Sequence, residues 1–295
     1  MRRKHGNLLS PALRAAVIAV LCMLGSAMLP SSSWAQGKPT TDEQAQAKEW
    51  AERASRLALA EARAYEFHLR EKAGPRLELS KQPILKWSNT YNMSVYGSVF
   101  VWTRAGRPEV IACIFKFYSP RLGFQAEFHS LAAEPLTAVK NDEVVWQPSK
   151  AGVAFKPLAD VPAPAKTATG RLVQMRDIAR NFSADVTTVI APKTKHHLRL
   201  LPQPLMRYGG SSEHLLDGAL FAFARETDPD VVLLLEARGG EAPHWEYALA
   251  RMHVGALNAR YRDKEVWRVE ELTHPYLRKN ESYTHTQQLP EPKVD

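Results

Sequence analysis

The chain has 295 residues, is 45% apolar and 24% charged, and carries 39 lysines and arginines against 31 aspartates and glutamates. That composition fits a globular protein of about two ordinary domains and excludes a wholly disordered or collagen-like chain. Four of the basic residues and no acidic one lie within the first 35 positions, so the formal charge of +8 falls to +4 beyond them. A balance that mild does not mark a nucleic-acid-binding surface.

Residues 1–35 read as a signal peptide. Arg2, Arg3, Lys4 and Arg14 form a basic start, Ala15 to Leu29 an apolar run, and Ser33-Trp34-Ala35 a small-residue cleavage site before Gln36. The apolar run is shorter than the roughly 20 residues that comfortably span a bilayer. An exported protein of the periplasm, or one secreted further, is expected, with no stable membrane span after cleavage. Cys22 leaves with the signal. The remaining Cys113 sits in the apolar run Val110 to Phe115, where a free thiol behaves as a small buried hydrophobe.

A first helix is expected over 42–72, started by the Thr41/Gln44 capping pattern and stopped by Gly74-Pro75. Its inner stripe is Trp50, Ala54, Leu57, Ala58, Tyr65 and Leu69. Five strands follow, near 77–87, 97–104, 109–118, 123–132 and 136–147. A stretch rich in Pro and Ala, 149–170, reads as a semi-rigid linker. A second helix is expected over 171–185, with Leu172, Met175, Ile178, Ala179 and Phe182 as its stripe. The residues after Leu272 are polar, without periodicity, and read as an extended or disordered end.

The organising feature is an internal repeat. A shift of 121 residues lays 77–147 on 198–268 without a gap, and 14 of the 71 aligned positions are identical. Gln82-Pro83 meets Gln203-Pro204, Gly97 meets Gly218, Phe100 meets Phe221, Arg104 meets Arg225, Pro108 meets Pro229, and Val145-Trp146 meets Val266-Trp267. The expected fold is therefore α+β: a tandem duplicated domain, each copy one N-terminal helix on an antiparallel sheet of about five strands. The segments are a signal peptide (1–35), a first repeat (36–148), the linker (149–170), a second repeat (171–272) and a polar tail (273–295). In the second strand of each copy both faces are apolar: Phe100 and Trp102 point one way, Val99 and Val101 the other. One face can take the helix. The other needs a second cover, and the economical choice is the sheet of the other copy.

The chain has no glycine-rich phosphate loop, no G-x-S-x-G, no H-E-x-x-H and no paired-cysteine metal motif. No cofactor and no metal is expected. The best catalytic candidates are Glu127 and His129, which share one face of a strand as a carboxylate beside an imidazole. The second copy has Ala248 and Ala250 there. Arg104 and Arg225 are expected to pair across their hairpins with Glu109 and Asp230. His196 and His197 should face opposite ways, and Ser211, Ser212 and His214 share a loop. Trp146 and Trp267 should pack in the cores.

The function these residues fit is a non-catalytic binding or scaffold module of the periplasm or cell envelope. Its partner would be an envelope component or another protein, and not a nucleic acid. The alternative is a small-molecule-binding or hydrolytic protein with a helix/sheet pocket in the first repeat.

Overall fold

A computed structural model of the protein describes residues 40–70, 74–90, 93–189, 192–209, 214–272, 279–286 and 288–294. The segment read as a signal peptide lies outside the described residues, as do Ser211, Ser212, His274 and Tyr276.

The chain runs through α1 (Thr41–Arg63), β1 (Tyr65–Leu69), β2 (Glu78–Leu79), β3 (Leu85–Asn89), β4 (Ser94–Arg104), β5 (Arg107–Ser119), β6 (Gly123–Ser130), β7 (Leu136–Lys140), β8 (Glu143–Trp146) and β9 (Lys156–Pro157). It continues through α2 (Ala168–Arg180), β10 (Phe182–Thr187), β11 (Lys195–Leu200), β12 (Met206–Tyr208), β13 (Leu215–Ala224), β14 (Pro229–Arg238), β15 (His244–Arg251), β16 (Ala256–Tyr261), β17 (Lys264–Val269) and β18 (Tyr283–Thr286). The described residues thus make a mostly-β protein with two helices and three antiparallel sheets, and its helical share is smaller than the expected α+β class implies. One sheet of three strands runs β1-β7-β8. One of six runs β18-β6-β5-β4-β2, with β3 also on β4. One of nine runs β17-β16-β10-β11-β13-β14-β15-β9, with β12 also on β13.

Both helices end sooner than their apolar spacing suggests. Tyr65 and Leu69, expected on the stripe of α1, lie on β1, and Phe182, expected on α2, opens β10. A spacing of four fits a helix face and a strand face alike. Tertiary pairing decides: Tyr65 to Leu69 pair with Lys140 to Leu136, and Phe182 to Thr187 pair with Tyr261 to Ala256. The strand expected over 77–87 breaks into β2 and β3 around Pro83, which has no N–H to give a ladder. The strand expected over 136–147 is a hairpin turned at Asn141 and Asp142, with φ of 51° and 65°. Arg262 and Asp263 turn β16 into β17 the same way, with φ of 47° and 65°.

The faces read from the sequence are the faces observed. Phe100, Trp102, Val110, Ala112 and Ile114 form an apolar cluster with Leu57, Ala58 and Ala62 of α1. Phe221, Phe223, Val231 and Leu233 do so with Met175, Ile178 and Ala179 of α2. A third cluster joins the remaining faces: Val99, Val101, Ile111 and Cys113 pack with Leu220, Val232, Leu234, Ala248 and Ala250. The six- and nine-stranded sheets therefore share one core. Each also carries an aromatic ring laid over a strand glycine. A Cβ on Gly97 would come within 2.2 Å of the Trp87 ring, and one on Gly218 within 2.4 Å of the Tyr208 ring. Here glycine is required by the close approach of a neighbouring group.

Within the stretch 149–170, backbone and side-chain contacts reach the nine-stranded sheet. Lys156-Pro157 pairs with β15, and the Trp245 indole donates to the Pro162 carbonyl at 3.1 Å. Part of the C-terminal segment, expected as an extended or disordered end, is extended and paired. Tyr283 to Thr286 pair with His129 to Ala126 as the edge strand of the first sheet, and Tyr283, Thr284 and His285 are buried.

Replacing either glycine with alanine overpacks this core. Gly97→Ala and Gly218→Ala should each lower stability by about 1–3 kcal/mol, measured by urea unfolding. Wild-type midpoints for both variants would contradict the ring-over-glycine packing.

Candidate functional site

Glu127 and His129 share a face of β6, but not the face covered by α1. Phe124, Ala126 and Phe128 point to the helix side. Glu127 and His129 point towards the second sheet, and both are buried. The Tyr283 hydroxyl donates to Glu127 Oε2 at 2.5 Å, and His129 Nδ1 donates to the Ser130 carbonyl at 2.8 Å. Among the described residues the two side chains are neither hydrogen-bonded nor ion-paired to each other. They open onto different cavities. Glu127 borders one of about 230 Å³ with Trp87, Phe115, Asp228, His253 and His285. His129 borders one of about 330 Å³ with Arg251, Tyr283, Tyr247 and Trp267.

Burial sets the charge of this layer. It pushes the Glu127 carboxyl up to about 8 against the pull of the Tyr283 hydroxyl, with Asp230 adding to the rise. It raises Asp230 to about 7, although the backbone N–H of Arg225 donates to that carboxyl, and lifts Asp228 well above its ordinary range. Burial also holds His129, His253 and His285 down at about 4. At neutral pH Glu127 is therefore a neutral acid and the three histidines are neutral rings. Two cations stand by this layer: Arg225, which borders the Glu127 cavity, and Arg251, whose guanidinium donates to the carbonyls of His253, Val254, Gly255 and Glu270.

The opposite end of the interface treats its carboxylates differently. Arg107 Nε donates to Glu236 at 2.9 Å, its terminal nitrogen reaches Glu109 at 2.9 Å, and the Tyr208 hydroxyl donates to Glu236 at 3.1 Å. Arg238 reaches the other oxygen of Glu236 at 2.5 Å, and both arginines lie over the Phe155 ring. This corrects the expected pairing of Arg104 with Glu109. The β4–β5 register sets Arg104 opposite Arg107, so Arg104 turns to Glu134 at 3.2 Å and Glu109 is held by Arg107. Arg225 meets Asp230 through its backbone, at 3.1 Å.

Cys113 is free and buried, accepts from the Trp87 indole at 3.1 Å, and has its thiol pushed well up by burial. His197 points to Asp185, at 3.1 Å. Trp146 is buried beneath α1's cluster and Trp267 packs half-buried against the other. Among the described residues no group of three or more His, Cys, Asp or Glu is placed to hold a metal ion, and no helix is long and apolar enough to cross a membrane. Sequence reasoning missed Tyr283, His285 and Arg251, the partners that give Glu127 and His129 their surroundings. The run Tyr283-Thr284-His285-Thr286, rich in aromatic and β-branched residues, was the available signal. Comparison with protein-family models, with curated proteins and with solved structures returned no match.

These charge states fix a pH dependence. Glu127 and Asp230 are raised in the folded chain, so the stability they carry is full below about 4.5 and 3.8 and is lost as pH rises through about 8 and 7. The three histidines work in reverse: their share is full above 6.5 and is lost as pH falls towards about 4. Between 6.5 and 8 the acids act alone, so stability should fall with rising pH. Glu127 contributes a slope of up to about 1.4 kcal/mol per pH unit. Glu127→Gln should remove that part of the slope in urea titrations at pH 7 and 8. Equal slopes in the two proteins would mean that Glu127 is ionised in the fold.

Proposed function

We propose that the protein is an exported, non-catalytic binding or scaffold module of the periplasm or cell envelope, acting on an envelope component or another protein. The observation that carries this reading is the use made of Glu127 and His129. Both are uncharged internal groups of the contact between the two sheets, and each already has its hydrogen-bond partner. The Glu127 carboxyl ties β6 to β18, and the His129 ring is held on its own strand by the Ser130 carbonyl, so neither reads as a group poised to exchange protons with a substrate. The export half of the proposal rests on the basic, apolar and small-residue order of the first 35 positions.

The body of this module is inferred to be a tandem duplication. Several backbone hydrogen bonds support that reading, because they recur at the 121-residue shift of the sequence. Ser80 N to Val101 O and Ile84 N to Val99 O correspond to Leu201 N to Ala222 O and Leu205 N to Leu220 O. Leu131 N to Glu109 O corresponds to Met252 N to Asp230 O. The rings of Trp87 and Tyr208 over Gly97 and Gly218, and the matching turns at Asn141-Asp142 and Arg262-Asp263, follow the same shift. Duplicated sheets placed face to face give two outer helical faces that can diverge separately, which suits a binding module.

Native mass spectrometry of the protein purified gently from its source tests both halves. The expected species begins at Gln36 and carries a non-covalent ligand or partner. A chain beginning at Met1 would sink export. A bare monomer at every concentration, with no cross-linked partner in the intact cell envelope, would sink the binding role.

A further inference from the structure

We propose that the cavity under the turn between β13 and β14 is a binding site for a small organic cation, an alkylammonium ion held between the Asp228 carboxylate and the rings of Phe115 and Phe117. The inference deepens the binding reading and rests on it. Register fixes the floor of the cavity. Phe115 pairs with Gln125, and Glu127 pairs with Cys113 and His285, so these side chains share the face of the six-stranded sheet that looks towards the other sheet. Phe117 continues that face two residues further along β5. Phe117 is only partly buried and Phe115 is 9% exposed, so both rings keep surface for a ligand.

The second half of the chain overhangs this floor with Arg225 and Asp228 of the turn and with His253 beyond β15. The Thr227 hydroxyl donates to the Ser88 carbonyl at 2.8 Å and holds the turn beside β3. The enclosed volume is about 230 Å³. Sites for drug-sized molecules begin at roughly 300 Å³, so the occupant is smaller than these. Exposed Met93 and Arg225 stand at the mouth.

The opposite end of the sheet contact shows what this end lacks. The 121-residue shift sets Arg107 on Asp228, Phe115 on Glu236 and Phe117 on Arg238. At that end Arg107, beside the β4–β5 turn, donates to Glu236 of the opposing sheet, so cation and carboxylate meet within the chain. At this end the turn presents a carboxyl group, Asp228, and the opposing sheet offers two phenyl rings. Among the described residues Asp228 has no ion pair, and the Cys113 thiol donates to its Oδ1 over 4.0 Å. Glu127, more than nine-tenths buried, borders the same cavity, and its Oε1 has no hydrogen-bond partner among the described residues. Arg225 does not supply the missing charge: its side chain is exposed and forms no ion pair with Asp228. Burial therefore acts on Asp228 unopposed by a close cation and lifts its carboxyl well above its ordinary range. An ammonium group completes the site. Ionised Asp228 accepts a charge-assisted bond from it, Glu127 Oε1 accepts a second, and the faces of the rings attract the cation.

Isothermal titration calorimetry at pH 8 with propylammonium, propanol and propionate tests the site. Propylammonium should bind saturably at one site per chain, and the neutral and anionic compounds of the same size should not bind. Asp228→Asn should weaken propylammonium at least about tenfold, the loss expected for a hydrogen bond to a charged group. Phe117→Leu keeps the site apolar but removes a ring face, and should weaken it about twofold or more. Melting temperatures show that both variants are folded, and either one suffices if the other is not. Absence of saturable propylammonium binding by the unaltered protein would overturn the site. So would equal binding of propanol, or an unchanged affinity in a folded Asp228→Asn variant. Failure here would strike this cavity alone and leave the mass measurement above to judge the wider binding role.

Discussion

The structure depends on two sheets that are apolar on both faces. In β4 four consecutive residues, Val99, Phe100, Val101 and Trp102, are almost wholly buried, and in β13 the run from Ala219 to Ala224 is the same. Alternation along a strand sends such a run to both sides at once. A single helix can cover one side only, so each sheet needs a second cover. The protein meets both demands with one interface, because each sheet serves as the cover of the other. That contact brings together Val99, Val101, Ile111 and Cys113 with Leu220, Val232 and Leu234, and Glu127, His129 and Glu236 take their surroundings from it.

Where polar groups enter the interface, they are stabilised in two distinct ways. Glu236 is wholly buried, and Arg107, Arg238 and Tyr208 surround it, so three partners are ordered around one carboxyl group. Glu127 has a tyrosine hydroxyl and no arginine in hydrogen-bond reach, so it holds its proton instead. Arg251, a nearby cation, is engaged by the backbone carbonyls of Val254 and Gly255 where the chain leaves β15. The same kind of side chain thus meets arginines at one end of the contact and a tyrosine hydroxyl at the other, according to which partners the strands deliver.

Much of this was legible in the sequence, but unevenly. The faces of β4 and β13 follow from alternation alone, and so does the shared face of Glu127 and His129. The ends of the helices do not, because Tyr65, Leu69 and Phe182 suit a helix stripe and a strand face equally, and only pairing with β7 and β16 separates the two. What Glu127 faces could not be read locally at all. Its partner Tyr283 lies 156 residues along the chain, in a segment whose polar composition hides a strand.

The position of β18 has a consequence for the order of assembly. Among the described residues it is the last strand, yet it completes the six-stranded sheet, against β6. Synthesis proceeds from the N-terminus, so β6 emerges with one neighbour, β5, and waits with its outer backbone groups unpaired until residue 286 follows. The first half thus remains an open template while the second is made, and a strand from another molecule could occupy the vacant edge. Closure comes only when Tyr283–Thr286 return to a sheet whose other strands all precede Leu131.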